Sequence, residues 1–257
     1  MTVNKLEKIH VLWDELADFS AAETEAALHH LMARLCQFVR AGNAYWIGGM
    51  RLNPKSKDDP LKGWRPCAHH YLHAAPVHEE AYKAQASKWN RREVDASYEA
   101  ALKNTGSFRS YRLRQTLPAE WFTQPYYQLF YASRGFHDTC FVTFPLNEDM
   151  ESYFAFHRVN TTRNFTEADE MLLAYALRGI KWFHRQLILS HGVMLVESPL
   201  TVAQRRVTSL LLTEKSEKEI ATELGVSFST THKHVGEIFR SFGVNSRAGL
   251  MALWLGK

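Results

Sequence analysis

Ser216–Leu250 reads SEKEIATELGVSFSTTHKHVGEIFRSFGVNSRAGL. Ser216 followed three residues later by Glu219 is a capping box, so a helix is expected over Glu217 to Leu224 with Ile220, Ala221 and Leu224 facing inward. Gly225 ends it, because the position after a helix C-terminus favours a residue comfortable at positive φ. Val226 is expected to plug the turn. Ser227 or Ser229 caps a further helix running to about Ser241, with Val235, Ile238, Phe239 and Phe242 on its buried side. Gly243-Val244-Asn245 turns the chain, and Ser246 caps a last helix from Arg247 to about Leu255. Upstream, Leu200 to Thr213 makes a short helix with Val207, Leu210 and Leu211 facing in. Residues 199–257 therefore read as an all-α, four-helix unit.

Two helices joined by a tight glycine turn pack at a steep angle. Ala221 lies where they come closest, and a larger side chain would hold them apart. This helix-turn-helix geometry presents the second helix to the major groove of DNA. The charge agrees in sign: from Ser198 onward there are eight Lys and Arg against five acids, so under a quarter of the chain carries most of its +4 net charge. Alone, an excess of that size is ordinary solvated surface.

The elements Lys218-Glu-Ile-Ala, Leu224-Gly-Val-Ser, Thr230-x-x-x-His234 and Phe242-Gly-Val-x-Ser-Arg247 add a specific pattern. Leu200 to Trp254 resembles the LuxR-type (NarL/FixJ-like) DNA-binding domain, four helices without a wing. The resemblance implies a transcriptional regulator that binds double-stranded DNA as a homodimer, with half-sites one helical turn apart. It implies phosphate contacts at Lys218 and Thr230, base-edge contacts at His232 and Lys233, and a place for His234 near the backbone or helix interface. Glu237 occupies the next turn on the groove side beside Gly236, and Ser229 and Arg240 complete the candidate DNA-binding set. Leu250 and Leu253 match the helix that dimerises the domain in many members. Taken singly, Arg240, Arg247 and Lys257 read as solvated cations. The departures are His232 where the family usually has lysine, Thr231 for a core valine, Gln204 for glutamate, and Gly236, which has no side chain to read with.

The remaining sequence begins with two amphipathic helices, with Leu6, Ile9, Leu12, Trp13 and Leu16, then Ala27, Leu28, Leu31, Leu35 and Phe38, at helical spacing. Strands are expected at Asn43–Leu52 and Trp64–His73, separated by a polar loop over Asn53–Lys62. Val77–Lys103 reads as mostly helical with a break, Ser107–Gln115 as a strand, and Pro118 as the start of a short aromatic helix. Phe136–Leu146 and Tyr153–Val159 pair around Asn147-Glu148-Asp149. Thr166 and Asp169 cap a helix that runs to about Ser190, and His191–Ser198 is the expected linker.

That order predicts an α+β domain over 1–190, an antiparallel sheet flanked by helices. The closing stretch FAFHRVNTTRNFTEADEMLLAYALRGIKWF, residues 154–183, resembles the end of a GAF-type sensor domain: a strand, a Phe-Thr cap and a long helix. Trp46, Trp64, Tyr71, Phe108, Tyr127 and Phe141 are candidates to line a small-molecule pocket. They equally suit a filled core, in a domain that only dimerises and binds no effector. Acyl-homoserine-lactone signals are not expected, since the Tyr…Asp-Pro pattern of those sensors is missing after the second strand.

His69, His70 and His73 make no metal site: on a strand His69 and His73 share a face about 13 Å apart. Cys36, Cys67 and Cys140 have neither metal spacing nor a disulfide framework. Asp58-Asp59 sits in a proline-flanked loop rather than after an apolar strand, unlike a phospho-receiver. No nucleophile elbow, phosphate loop, dinucleotide fingerprint or zinc-protease helix is present, so no enzyme and no cofactor are expected. With neither a signal peptide nor a long apolar run, the expectation is a soluble, cytoplasmic protein with no membrane partner.

Overall fold

A computed structural model of the chain describes residues 3–52, 59–74, 87, 91, 93–192 and 200–255. Most of the expected 53–62 loop, residues 77–86 of the expected 77–103 helical stretch, and most of the expected linker lie outside the described residues. Two compact units divide the chain. One holds Met1–Leu12 and His29–Lys181, the other Trp13–Leu28 and Trp182–Lys257.

The chain opens with α1 (Val3–Ala17) and α2 (Thr24–Val39). The first unit is built on a five-stranded antiparallel sheet in the order β2-β1-β5-β4-β3. Its strands are β1 (Asn43–Arg51), β2 (Trp64–Tyr71), β3 (Arg109–Arg112), β4 (Phe136–Asn147) and β5 (Met150–Val159). Helix α3 (Ala96–Leu102) precedes β3. The expected strand over Ser107–Gln115 is cut short, because Leu113–Thr116 turns into a helix, α4. Buried Asp138 explains the change of direction: its carboxylate accepts the backbone N–H groups of Arg114, Thr139 and Phe165 at 3.2, 2.8 and 2.8 Å, tying three segments together. After a 3-10 turn at Ala119–Thr123, α5 (Pro125–Phe130) starts with proline at its first position, where the missing N–H costs nothing.

The expected long helix from Thr166 is two helices, α6 (Glu167–Arg178) and α7 (Lys181–Ser190), broken at Gly179. Thr166 and Asp169 form the expected capping box. The Asp169 carboxylate also takes Arg158 at 2.9 Å. Arg158, only 6 % exposed, donates in addition to the Val39 and Arg40 carbonyls at the end of α2, a cation where carbonyls lack helical partners.

Register assigns the sheet's two faces. Ala44, Trp46 and Gly48 stand opposite Phe156, Phe154 and Ser152 on one face; Tyr45, Ile47 and Gly49 stand opposite Ala155, Tyr153 and Glu151 on the other. The first face is solid core: Trp46, Phe154 and Phe156 are fully buried, and the Trp46 indole N–H donates to Ser152 Oγ at 2.8 Å.

The second unit contains α8 (Val202–Leu211), α9 (Glu217–Leu224), α10 (Phe228–Phe242) and α11 (Arg247–Trp254). Its core joins Leu189, Leu200, Val207, Leu211, Ile220, Val235, Ile238, Phe242, Leu250 and Trp254. Leu189 belongs to this cluster although it precedes the expected linker. Ser216, Ser227 and Ser246 each accept a backbone N–H as N-caps, so Ser227 rather than Ser229 starts α10.

Candidate DNA interface and ligand cavity

The turn between α9 and α10 is made by Gly225 at φ +67°, whose N–H bonds back to the α9 carbonyls. Ala221 and Ile220 are buried beneath it. Val226 does not plug the turn but stands 41 % exposed, its N–H bonded to the Ala221 carbonyl. Apolar periodicity turns Thr231, Val235, Ile238 and Phe242 of α10 inward. The same 3.6-residue period leaves Ser229, Thr230, His232, Lys233 and Arg240 exposed, and Lys218 is exposed on α9.

These groups are held by neighbours. Ser227 Oγ lies 2.9 Å from Ser229 Oγ and 2.7 Å from Thr230 Oγ1. His232 Nδ1 is 2.9 Å from Glu217 Oε2, an interaction that crosses from α10 to α9. Glu237 takes the Gln204 amide at 3.1 Å, with Lys233 Nζ and His234 Nδ1 at 4.0 and 3.5 Å. The Gln204 hydrogen bond, helped by Lys233 and His234, holds the Glu237 carboxyl below the usual range. Arg240 Nε donates to the Gly236 carbonyl at 3.3 Å. A Cβ at Gly236 would meet open space, so glycine there leaves the outer face of α10 low.

Arg247 differs from its expected solvated state. Its guanidinium donates to the Leu211 carbonyl at the end of α8 and to the Thr213 and Lys215 carbonyls in the loop that follows, the Leu211 and Lys215 bonds at 2.7 and 2.6 Å. It is a structural cap, not a free cation.

The first unit holds a cavity of about 170 Å³ between the Tyr45–Ile47–Gly49 face of the sheet and helices α3 and α5. Tyr45, Tyr98, Tyr111, Tyr126, Tyr131 and Tyr153 line it, with Ile47, Leu61, Trp64, Pro66, Ala101, Leu102 and Phe141. Tyr111 stacks on Phe141, ring centroids 4.9 Å apart. Gly49 lets Tyr153 lie flat on β1, since a Cβ there would come within 2.8 Å of the ring. Burial pushes the Tyr45, Tyr111, Tyr126, Tyr131 and Tyr153 hydroxyls well above the ordinary tyrosine range, so they stay neutral. The charged lining residue, Arg65, is paired with Asp59 at 3.0 Å.

Of the aromatic candidates, Trp64 and Phe141 line this cavity. Trp46 lies on the other face of β1, and Phe108 packs edge-on against Phe144 with Arg178 over its ring. Tyr71 packs against Tyr45, and Tyr127 sits in the Trp121–Phe122 cluster with its hydroxyl donating to the Phe136 carbonyl. Trp46 shares its face of β1 with Gly48, and the cavity is on the alternate face. The missed signal is one tyrosine on the same face of each of three strands: Tyr45 on β1, Tyr153 on the adjacent β5 and Tyr111 on the edge strand β3. Among the described residues, no three His, Cys, Asp or Glu side chains are grouped to hold a metal ion, and no helix is long and apolar enough to cross a membrane.

A capped, glycine-turned helix pair with a polar, partly cationic outer helix is the DNA-binding part of a helix-turn-helix transcription regulator. Residues 198–253 match the family described as bacterial regulatory proteins, luxR family, so the chain carries a LuxR-type domain there. No curated protein matches the chain by sequence. Solved structures similar to it include SdiA in complex with octanoyl-rac-glycerol, at 14 % identity and TM-score 0.49, covering 100 % of this chain and 96 % of that one. The VqsR LBD domain from Pseudomonas aeruginosa is 14 % identical with TM-score 0.44, covering 73 % of this chain and 98 % of that one. Escherichia coli SdiA in another crystal form is 13 % identical with TM-score 0.46, covering 96 % and 95 %.

Proposed function

We propose that this chain is a cytoplasmic, dimeric transcription regulator whose DNA binding responds to an uncharged small molecule held in the tyrosine-lined cavity. The observation that supports the effector is the unfilled, tyrosine-lined cleft against the sheet. A domain that served only to dimerise would have its aromatic side chains interdigitate at native density. Here six tyrosines and Trp64 line about 170 Å³ of unfilled space, the hydroxyls of Tyr45, Tyr111, Tyr126, Tyr131 and Tyr153 held neutral and the lining arginine paired. A charged effector would lose its hydration against that wall without gaining a partner charge. A neutral one with an apolar body and one or two hydrogen-bonding groups matches it.

On the DNA side, Lys218 and Thr230 serve as phosphate contacts, with Ser229 beside them. His232 and Lys233 face base edges, and Arg240 follows one face further along α10. Glu237 orients Lys233 and His234 rather than meeting the polyanion itself. One recognition helix reads few base pairs, so two copies on a split site supply specificity. The exposed apolar side chain of Met171 on α6 is a candidate for self-association.

Cavity filling separates the sensing reading from a purely dimerising one. Wild-type protein should show a raised Tm with a neutral fraction of cell extract, and Ala101→Trp should abolish that shift while remaining folded. Equal responses of the two proteins, or no response of either to any fraction, would sink effector binding. For DNA binding, Lys233→Ala should weaken a selected duplex and lose sequence preference, whereas Lys218→Ala should weaken all duplexes alike and shallow the salt dependence.

A further inference from the structure

We infer that Phe228 is a specificity-determining residue that reads the methyl group of a thymine, one per half-site, from the first turn of α10. The core of the helix-turn-helix is complete without it: Val235, Ile238 and Phe242 carry the buried side of α10, while Phe228 is 48 % exposed at its first position. Its ring is nevertheless held in place. It stacks on His232 one turn later, centroids 6.0 Å apart and planes 20° apart. His232 is in turn fixed by Glu217 Oε2 at 2.9 Å on the preceding helix. Glu217, His232 and Phe228 thus form a relay across both helices that orients an aromatic face outward before any DNA arrives.

The N-terminal residues of such a helix are those that meet base edges. The major groove offers an aromatic ring one good apolar partner, the C5-methyl of thymine. Against a cytosine or purine edge, the ring would strip water from hydrogen-bonding groups and return nothing. The assignment rests on α10 being the recognition helix, and the test keeps the two ideas apart.

The experiment uses the full-length chain and a duplex selected from a randomised pool, with each thymine replaced in turn by deoxyuridine, which removes only the methyl. The wild type should lose about fourfold in affinity per methyl at one position of each half-site, the weight of one buried carbon. Placing 5-methylcytosine rather than cytosine there should recover part of that loss. Phe228→Ala should bind the thymine and deoxyuridine duplexes equally, and Phe228→Leu should keep most of the discrimination. Thermal denaturation verifies that both variants fold. Indifference of the wild type to every deoxyuridine, or an unchanged profile in Phe228→Ala, overturns the inference. Lys233→Ala in the same assay makes the distinction: if it loses affinity while the Phe228→Ala profile stays wild-type, only the methyl contact falls. If neither variant changes anything, the role of α10 falls with it.

Discussion

The Asp95 carboxylate receives the indole N–H of Trp121 at 3.0 and 3.1 Å while capping α3 through the Ser97 backbone N–H at 2.9 Å. One buried side chain thus fixes the helix that supplies Tyr98 and Ala101 to the cavity and the tryptophan at the centre of the adjoining aromatic cluster. Asp95→Ala leaves a buried indole donor unsatisfied and removes a helix cap, so it should cost about 2–3 kcal/mol in urea unfolding. Asp95→Asn keeps an acceptor oxygen and should cost less. Equal losses in the two variants would mean that the carboxylate's charge, not the hydrogen bond, holds α3.

Glu151 is fully buried and accepts from Arg109 at 2.8 Å through each oxygen, from Gly106 N–H at 2.7 Å and from the Tyr153 hydroxyl. Removing one partner strands the other's charge. Glu151→Gln is therefore expected to lose about 3–5 kcal/mol, with the double variant Glu151→Leu, Arg109→Met recovering a large part. A double variant no better than the single one would count against the stranded-charge explanation.

His157 is buried with its ring 3.9 Å from Phe136, and its pKa falls to about 3, first through burial and then through the Arg134 charge. In the unfolded chain it returns to an ordinary value near 6.5. Below that value the unfolded state binds the extra proton and is favoured. Stability should be unaffected by this group above about pH 6.5 and should fall as pH drops from there toward 3, with a limiting slope of about 1.4 kcal/mol per pH unit. Urea midpoints at pH 7.5 and 5 check this, and His157→Phe should remove that part of the slope even though its stability at pH 7.5 is lower.

Gly225 has φ +67° and nothing within 4 Å of where a Cβ would stand. Gly225→Ala therefore meets no clash and should cost only the left-handed backbone term, about 1–2 kcal/mol. Because α9 and α10 depend on this turn, DNA affinity should fall by no more than the stability loss predicts once the folded fraction is restored by cooling. A much larger loss of affinity would mean that the turn itself touches DNA.

The helix-turn-helix was legible because its determinants are local. Ser216 with Glu219, Gly225 after Leu224, and the spacing of Val235, Ile238 and Phe242 each act within a turn or two of chain. Arg247 escaped for the opposite reason: its partners at Leu211, Thr213 and Lys215 are remote in sequence. The break at Gly179 escaped differently. Helical periodicity runs on through it, with Ala176, Ile180 and Phe183 in step, and the period by itself does not mark where α6 ends and α7 begins.

The cavity shows most clearly what chain order leaves open. Alternation along β1 sorts Trp46 from Tyr45, but period-two patterning is blind to which face receives the filled core and which the open space. That was settled by pairing β1 with β5, and by α3 and α5 arching over the Tyr45 side without filling it. The helix caps, the glycine turn and the amphipathic face of α10 were determined by the sequence alone, since each depends on near neighbours in the chain. The tertiary structure alone decided the cavity-lining tyrosines, the Asp95–Trp121 bond and the Glu217–His232–Phe228 relay. Each of these brings together residues from different elements, and no local energy records their approach.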